Sequence, residues 1–152
     1  MRRADDGAGG SAPRAAAPRR AVPRAHLADL AALRAFVAAA CAEVGAPPAV
    51  GEALVLAADE VCTNIVLHGY GAAGPGPITI EVDRADDGAR VTITDEGRAF
   101  DPADAPVPDL AAPWAEREAG GLGWHLVRQV VDELRYERRS GANLVTLVKR
   151  AT

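Results

Sequence analysis

Two stretches of alternating apolar residues, separated by a short turn, constrain this chain more than any other feature. Ile78, Ile80 and Val82 share one face of Pro77–Asp83, and Val91 and Ile93 share one face of Ala89–Asp95. A period of two is what a strand with one buried face requires. The intervening Arg84-Ala85-Asp86-Asp87-Gly88 has turn chemistry, so the pair is predicted to form an antiparallel hairpin. A hairpin with one apolar face is not stable alone in water, so other elements must cover it.

The cover lies upstream. Leu27, Leu30, Leu33, Phe36, Val37, Ala40, Cys41 and Val44 recur at helical spacing between His26 and Val44. Gly45 and Pro47-Pro48 end that helix and start a second, from about Pro48 to His68, which Gly69-Tyr70-Gly71 closes. Downstream, Pro102, Pro106, Pro108 and Pro113 forbid a long helix between Gly97 and Gly121. A stretch of that length without regular structure inside a domain is a functional lid or a linker. Leu122, Leu126, Val130 and Leu134 then predict a third helix of roughly three turns. Final strands are expected near Leu134–Arg139 and Leu144–Arg150, joined by Ser140-Gly141-Ala142-Asn143. This order predicts an α/β two-layer sandwich, a mixed, mostly antiparallel sheet with helices on one face.

The chain has 152 residues, enough for one domain, expected over 26–152, with 1–25 as a disordered basic tail. That tail holds six Arg and two Asp, leaving eleven Lys plus Arg against nineteen Asp plus Glu in the rest. So acidic a body is a poor partner for duplex nucleic acid, which needs clustered cations. No apolar run is long enough to span a membrane, and the basic N-terminus lacks the apolar core of a secretory signal. A cytoplasmic protein is expected. Cys41 and Cys62 sit in apolar helical stretches without CxxC spacing and read as buried thiols. His26, His68 and His125 are far apart and show no zinc spacing, which leaves a metal hydrolase unsupported. His125 is expected on the polar face of its helix.

Three polar groupings stand out. On the second helix, Leu54, Ala58, Val61, Cys62 and Ile65 share one face, and Glu60 and Asn64 lie nearly opposite, one turn apart, with His68 next in the row. A carboxylate beside a carboxamide suits metal-assisted phosphoryl transfer: the amide oxygen is a hard ligand for Mg²⁺, and the carboxylate accepts a proton. The same row is also what an ordinary solvent-facing helix shows. Asp95 ends an apolar row and needs donors if buried. Either a base with an exocyclic amino group or the amides of the following turn would serve. Gly97 leaves its backbone open to close approach. Gly120-Gly121-Leu122-Gly123 precedes the third helix, where free N–H groups and the helix dipole attract phosphate. It is no P-loop: the Gly-Lys-Ser/Thr ending is missing, and the chain's single lysine is Lys149.

Taken in order, these groupings carry a family resemblance. Ala58-Asp-Glu-Val-Cys-Thr-Asn-Ile-Val-Leu-His-Gly-Tyr70 resembles the N-box of the GHKL ATPase superfamily. Thr94-Asp-Glu-Gly-Arg-Ala-Phe-Asp-Pro102 resembles its first glycine box, and Gly120-Gly-Leu-Gly-Trp-His-Leu-Val127 its second. In length and spacing the chain is similar to the anti-sigma factor serine/threonine kinases, and Gly141-Ala-Asn-Leu-Val-Thr-Leu-Val-Lys149 fits that branch as well.

The resemblance, which covers residues 26–150, implies the Bergerat fold and an ATP site. Asn64 would hold Mg²⁺ against the phosphates and Glu60 would be the general base toward a protein serine. Asp95 would accept from the adenine amino group, with Gly97 beneath the base. Gly121, Leu122 and Gly123 would hold phosphate, and His68 would line the ribose or phosphates. Thr146 would help fix adenine, and residues 101–120 would be the ATP lid, with Arg117 its candidate phosphate-directed charge. The implied partners are a sigma factor, a STAS-type anti-sigma antagonist and a second copy in a homodimer. A nucleotide-binding partner switch with little kinase activity is the alternative. The ATPase domain of a sensor histidine kinase is disfavoured, because no helical pair with a phosphoacceptor histidine precedes the domain. In the first box, Ala99 or its neighbour stands where many relatives have a second glycine.

Overall fold

The hairpin forms in the register its alternation dictates. In the computed structural model, which describes residues 16–105 and 121–152, β2 (Ile78–Ala85) pairs with β3 (Gly88–Asp95) from Ile78↔Asp95 to Ala85↔Gly88. Asp86, at φ 50°, takes the left-handed turn that Asp tolerates better than most residues. Ile78, Ile80, Val82, Val91 and Ile93 all point into the core and are fully buried.

Two helices cover that face. α1 (Leu30–Glu43) ends where Gly45 turns left-handed at φ 84°. There the Gly45 N–H donates to Ala42 O and the Ala46 N–H to Cys41 O, satisfying two terminal carbonyls. α2 (Pro48–Asn64) opens on Pro48, whose fixed φ suits the first helical position. Its buried row is Val50, Leu54, Ala57, Ala58, Val61 and Cys62. The chain does not stop at Asn64 but continues as one π-helical segment over Ile65–Tyr70. Helical periodicity predicts coiling as far as His68 and cannot distinguish the π winding from the α.

After the segment 106–120, which lies outside the described residues, α3 (Gly121–Val130) leads into β4 (Glu133–Arg139) and β5 (Ala142–Lys149). Leu134 therefore belongs to β4, opposite Leu147, rather than to the helix. Ser140 and Gly141, at φ 52° and 78°, form the tight two-residue turn between β4 and β5.

The sheet departs from expectation in two ways. First, β1 (Arg19–Val22) lies inside the segment expected to be a disordered tail and pairs with β2. Three of its four residues are exposed; an edge strand that buries almost no side chain leaves no alternation to read. Its backbone bonds and an Arg19–Glu81 ion pair at 3.4 Å hold it, and the Val82 N–H donates to Pro18 O beside it. Residues 1–15 of the expected tail lie outside the described residues. Second, the sheet is not mixed. Its order is β1-β2-β3-β5-β4, and every neighbouring pair is antiparallel. β3 and β4 run the same way, but β5 inserts between them. Among the described residues, the helices pack on one face and leave the other open.

Cys41 and Cys62 are buried free thiols, as their surroundings imply. Burial pushes the Cys41 thiol up to about 11 and the Cys62 thiol up to about 12, which makes both poor nucleophiles. Among the described residues, no helix is long and apolar enough to cross a membrane.

Gly88 has no room for a side chain: an added Cβ would lie 1.9 Å from the Lys149 carbonyl oxygen. Backbone cannot yield as a side-chain tip can. Gly88→Ala is expected to lower stability by at least the overpacking cost of about 1–3 kcal/mol, read as a shifted urea midpoint with an unchanged slope.

Candidate functional site

The helical row along α2 and its π extension connects two halves of one site. Glu60 and Asn64 are half-buried residues on the side of α2 that meets the start of α3. A Cβ built on Gly123 would lie 2.8 Å from Glu60 Oε2 and 3.4 Å from Asn64 Nδ2. Gly123 stands in the first turn of α3 because a larger residue would push against both functional groups. Gly121 begins that helix, so its first free N–H groups lie within a turn of the Glu60–Asn64 pair.

Asn64 is oriented by its own helix. Its Nδ2 donates to the Glu60 carbonyl at 3.0 Å, so the amide's Oδ1 remains as its acceptor atom. Among the described residues, no donor side chain reaches the Glu60 carboxylate. Burial, then the neighbouring charge of Asp59, push the Glu60 carboxyl above its ordinary range.

The other half lies at the end of β3. Asp95 is 3% exposed, and its Oδ1 accepts from the Gly97 N–H at 2.8 Å and from Asn143 Nδ2 at 3.0 Å. The turn amide expected for a strand-end Asp is therefore present, and a side-chain amide stands beside it. Burial raises the Asp95 carboxyl; the bonds from Asn143 and Gly97 and the charge of Arg138 oppose that rise, and Glu96 adds to it. Among the described residues, no hydrogen bond reaches Asp95 Oδ2.

The π segment is tied to this strand end. The Arg98 N–H donates to Gly69 O at 3.0 Å. A Cβ on Gly97 would lie 2.9 Å from the Gly69 carbonyl carbon and 3.0 Å from its oxygen, so Gly97 admits the chain itself at close range. Tyr70 Oη donates to Pro77 O at 2.5 Å and accepts from the Glu96 N–H at 2.8 Å. His68 sits exposed in the same segment. Phe100 stacks on Trp124 at 6.0 Å, joining the loop after β3 to α3.

Thr146 is not part of this site. It pairs with Thr92 and Arg135 on the open face of the sheet, lining a groove of about 840 Å³ beside Arg84 and Arg150. Alternation puts Asn143, Val145 and Leu147 on the helix-covered face and Thr146 on the other. The residue of β5 that does reach Asp95 is Asn143, opposite it in register and 4% exposed. Its position, an even number of residues from Val145 and Leu147, is the sequence signal that identifies it. Arg117 and the rest of the lid beyond Ala105 lie outside the described residues. Asp101 begins the expected lid by accepting from the Ala103 N–H at 2.9 Å in a single 3₁₀ turn, Pro102–Asp104. His125, expected on a polar face, has a buried Nε2 that no hydrogen-bond partner reaches among the described residues.

Residues 24–149 match the model of the histidine kinase-like ATPase domain. The serine/threonine-protein kinase BtrW of Bordetella bronchiseptica is 36% identical over 94 residues, covering 62% of this chain and 66% of that protein. The serine-protein kinase RsbW of Bacillus subtilis is 33% identical over 99 residues, 61% of each chain. The anti-sigma F factor of Priestia megaterium is 32% identical over 79 residues, 51% of this chain and 54% of that one. The chain thus spans less than two thirds of the length of these curated relatives. A crystal structure of RsbU and RsbW domains from Mycobacterium tuberculosis superposes with a TM-score of 0.58 at 22% identity, covering 89% of this chain and 35% of that one, and shares the fold.

The two close glycines predict opposite outcomes. Gly97→Ala meets backbone and should destabilise the protein by about 1–3 kcal/mol. Gly123→Ala meets the tip of a flexible side chain and gains helix propensity, so its melting temperature should be unchanged or higher. It should nevertheless displace the Glu60 carboxylate and weaken any ligand seated there. Thermal melts with nucleotide titration of both variants check this pair.

Proposed function

The chain belongs to the histidine kinase-like ATPase family, and we propose that it is an ATP-dependent protein serine/threonine kinase that acts as an anti-sigma factor in a partner-switching module. Its substrate would be a serine or threonine of a STAS-type anti-sigma antagonist. When that antagonist is not available, it would hold a sigma factor, as a homodimer in the cytoplasm. The names of the curated relatives support this reading. The observation that carries it is the close approach of Gly123 to Glu60 and Asn64: a carboxylate and a side-chain amide beside a glycine-rich helix start suit phosphoryl transfer.

Each residue has one task. The N–H groups at Gly121, Leu122 and Gly123 face phosphate. Asp95 Oδ2 receives the adenine amino group, with Gly97 at the floor of that corner, while His68 lies at the ribose and phosphate side. Asn64 Oδ1 would hold Mg²⁺, which when bound neutralises charge on the phosphates. Among the described residues, no cluster of three or more acidic, His or Cys side chains could cage a metal; Mg²⁺ suits such a site because it takes its other ligands from phosphate and water. Glu60 takes the proton of the serine hydroxyl as that oxygen bonds to the γ-phosphorus and the bond to the ADP oxygen breaks.

The base must be ionised to act. Because burial and Asp59 raise the Glu60 carboxyl above 4.5, transfer should increase with pH along a limb centred above that value. Labelled γ-phosphate transfer to a STAS-type antagonist measures it. Glu60→Gln should keep ATP binding and lose transfer by about 100-fold or more. If the variant transfers as fast as the wild type, Glu60 is not the base. If neither protein transfers while both bind ATP, the chain is a nucleotide-gated binding module.

A further inference from the structure

We propose that Asn143 is a specificity-determining positioning residue: clamped by Tyr136 and Arg138, its amide holds Asp95 as a hydrogen-bond acceptor and makes the site select a 6-aminopurine over a 6-oxopurine. This rests on the reading above that Asp95 receives the base.

The orientation of the Asn143 amide follows from its neighbours. Its Oδ1 receives Tyr136 Oη at 2.6 Å and Arg138 Nη1 at 2.9 Å. Its Nδ2 donates to Asp95 Oδ1 at 3.0 Å, to Gly97 O at 3.2 Å and to Arg98 O at 3.1 Å. Flipping the amide would turn its carbonyl toward a carboxylate and two carbonyls, and its NH₂ toward a guanidinium that can only donate. Tyr136 is itself engaged, accepting from the Phe100 N–H at 3.3 Å, and Arg138 also donates to Gly97 O at 3.1 Å. All of this is core-face chemistry on β4 and β5, set by the pairing of Arg138 with Asn143 and of Asn143 with Asp95.

A donor fixed on Oδ1 has a chemical consequence. The bond favours the carboxylate form of Asp95 against the burial that disfavours it, and Oδ2, which no hydrogen bond reaches among the described residues, is left with lone pairs for a donor. A 6-amino group donates to it. A 6-oxo group meets it acceptor to acceptor and is rejected unless Asp95 takes up a proton. The charged and titratable groups around Asp95 are Arg138 from β4, Glu96 after β3, Tyr70 from the π segment and Cys62 from α2. Of the groups opposing protonation, Asn143 is the largest.

The test is calorimetric binding of ATP and of inosine triphosphate, each with Mg²⁺, to the full chain, across mildly acidic to neutral pH. The wild type, Asn143→Leu and Tyr136→Phe are compared, with circular dichroism to confirm folding. Asn143→Leu should reduce the ATP-to-inosine-triphosphate affinity ratio by about tenfold or more. It should also raise the pH at which ATP binding is lost on acidification, since removing a donor lets the carboxylate protonate sooner. Tyr136→Phe should move both readouts in the same direction by less. A merely structural residue would weaken both nucleotides equally and leave the pH midpoint in place, and that result overturns the inference. Should Asn143→Leu fail to fold, Tyr136→Phe decides by the same two readouts. If the wild type binds neither nucleotide, the ATP site itself is wrong; if it binds ATP with unaltered selectivity in both variants, only the role of Asn143 is.

Discussion

The pairing of β3 with β5 is the constraint on which the rest of the structure depends. Val91 opposite Leu147 and Ile93 opposite Val145 build the centre of the core, and the next pair on the same face is Asp95 opposite Asn143. A slip of one residue would send Asn143 to the open face and leave Asp95 buried without its amide donor. It would also expose every apolar residue of the slipped strand. Apolar burial thus fixes the register, and the register places the polar pair. Packing energy far from the ligand corner decides what sits in it.

The long helical run of α2 carries the second dependence. Its buried row packs on the sheet, so Glu60 and Asn64 emerge at the side where α3 begins. The change to π winding after Asn64 then gives the run an ending that an α-helix would not. Ile65 stays in the core, while the Gly69 carbonyl meets the Arg98 N–H and Tyr70 bridges Pro77 and Glu96. Single π turns of this kind recur at functional sites. Here the winding lets one continuous segment carry Glu60 and Asn64 at one end and brace the strand end that holds Asp95 at the other. One half of the site thus lies on the helix, and the other, at the end of β3, is tied to the helix's extension by the Arg98–Gly69 and Tyr70–Glu96 bonds.

How much of this was legible in the sequence depends on whether a residue's role was tied to burial. The hairpin, α1 and α2 follow from apolar periodicity, whereas the grouping of Glu60, Asn64, Asp95 and Gly123 followed from the resemblance of three motifs in order, because periodicity alone leaves Glu60 and Asn64 on an ordinary solvent-facing row. β1 was not legible, because an edge strand held by backbone bonds and one surface ion pair leaves no pattern. Thr146 was misplaced for a related reason. Motif likeness selected a polar residue near the end of the chain, whereas counting by twos from the core residues Val145 and Leu147 selects Asn143. The all-antiparallel sheet required knowing that β5 inserts between β3 and β4, a long-range choice that local pattern does not encode.

The two carboxylates of the site show how one physical cause serves two ends. Burial is the main force raising both Asp95 and Glu60. Around Asp95 it is met by an amide, a backbone N–H and a guanidinium, so the group is restrained as an acceptor and read by what donates to it. Around Glu60 no such donor stands among the described residues, and Asp59 pushes in the same direction as burial. A carboxylate left in that state has an increased affinity for a proton, which suits the role of general base proposed for it. The difference lies in the partners, and it follows from where each residue sits: Asp95 at the rim of a paired strand, facing polar groups from β4 and β5, and Glu60 on a helix whose neighbour across the gap is a glycine.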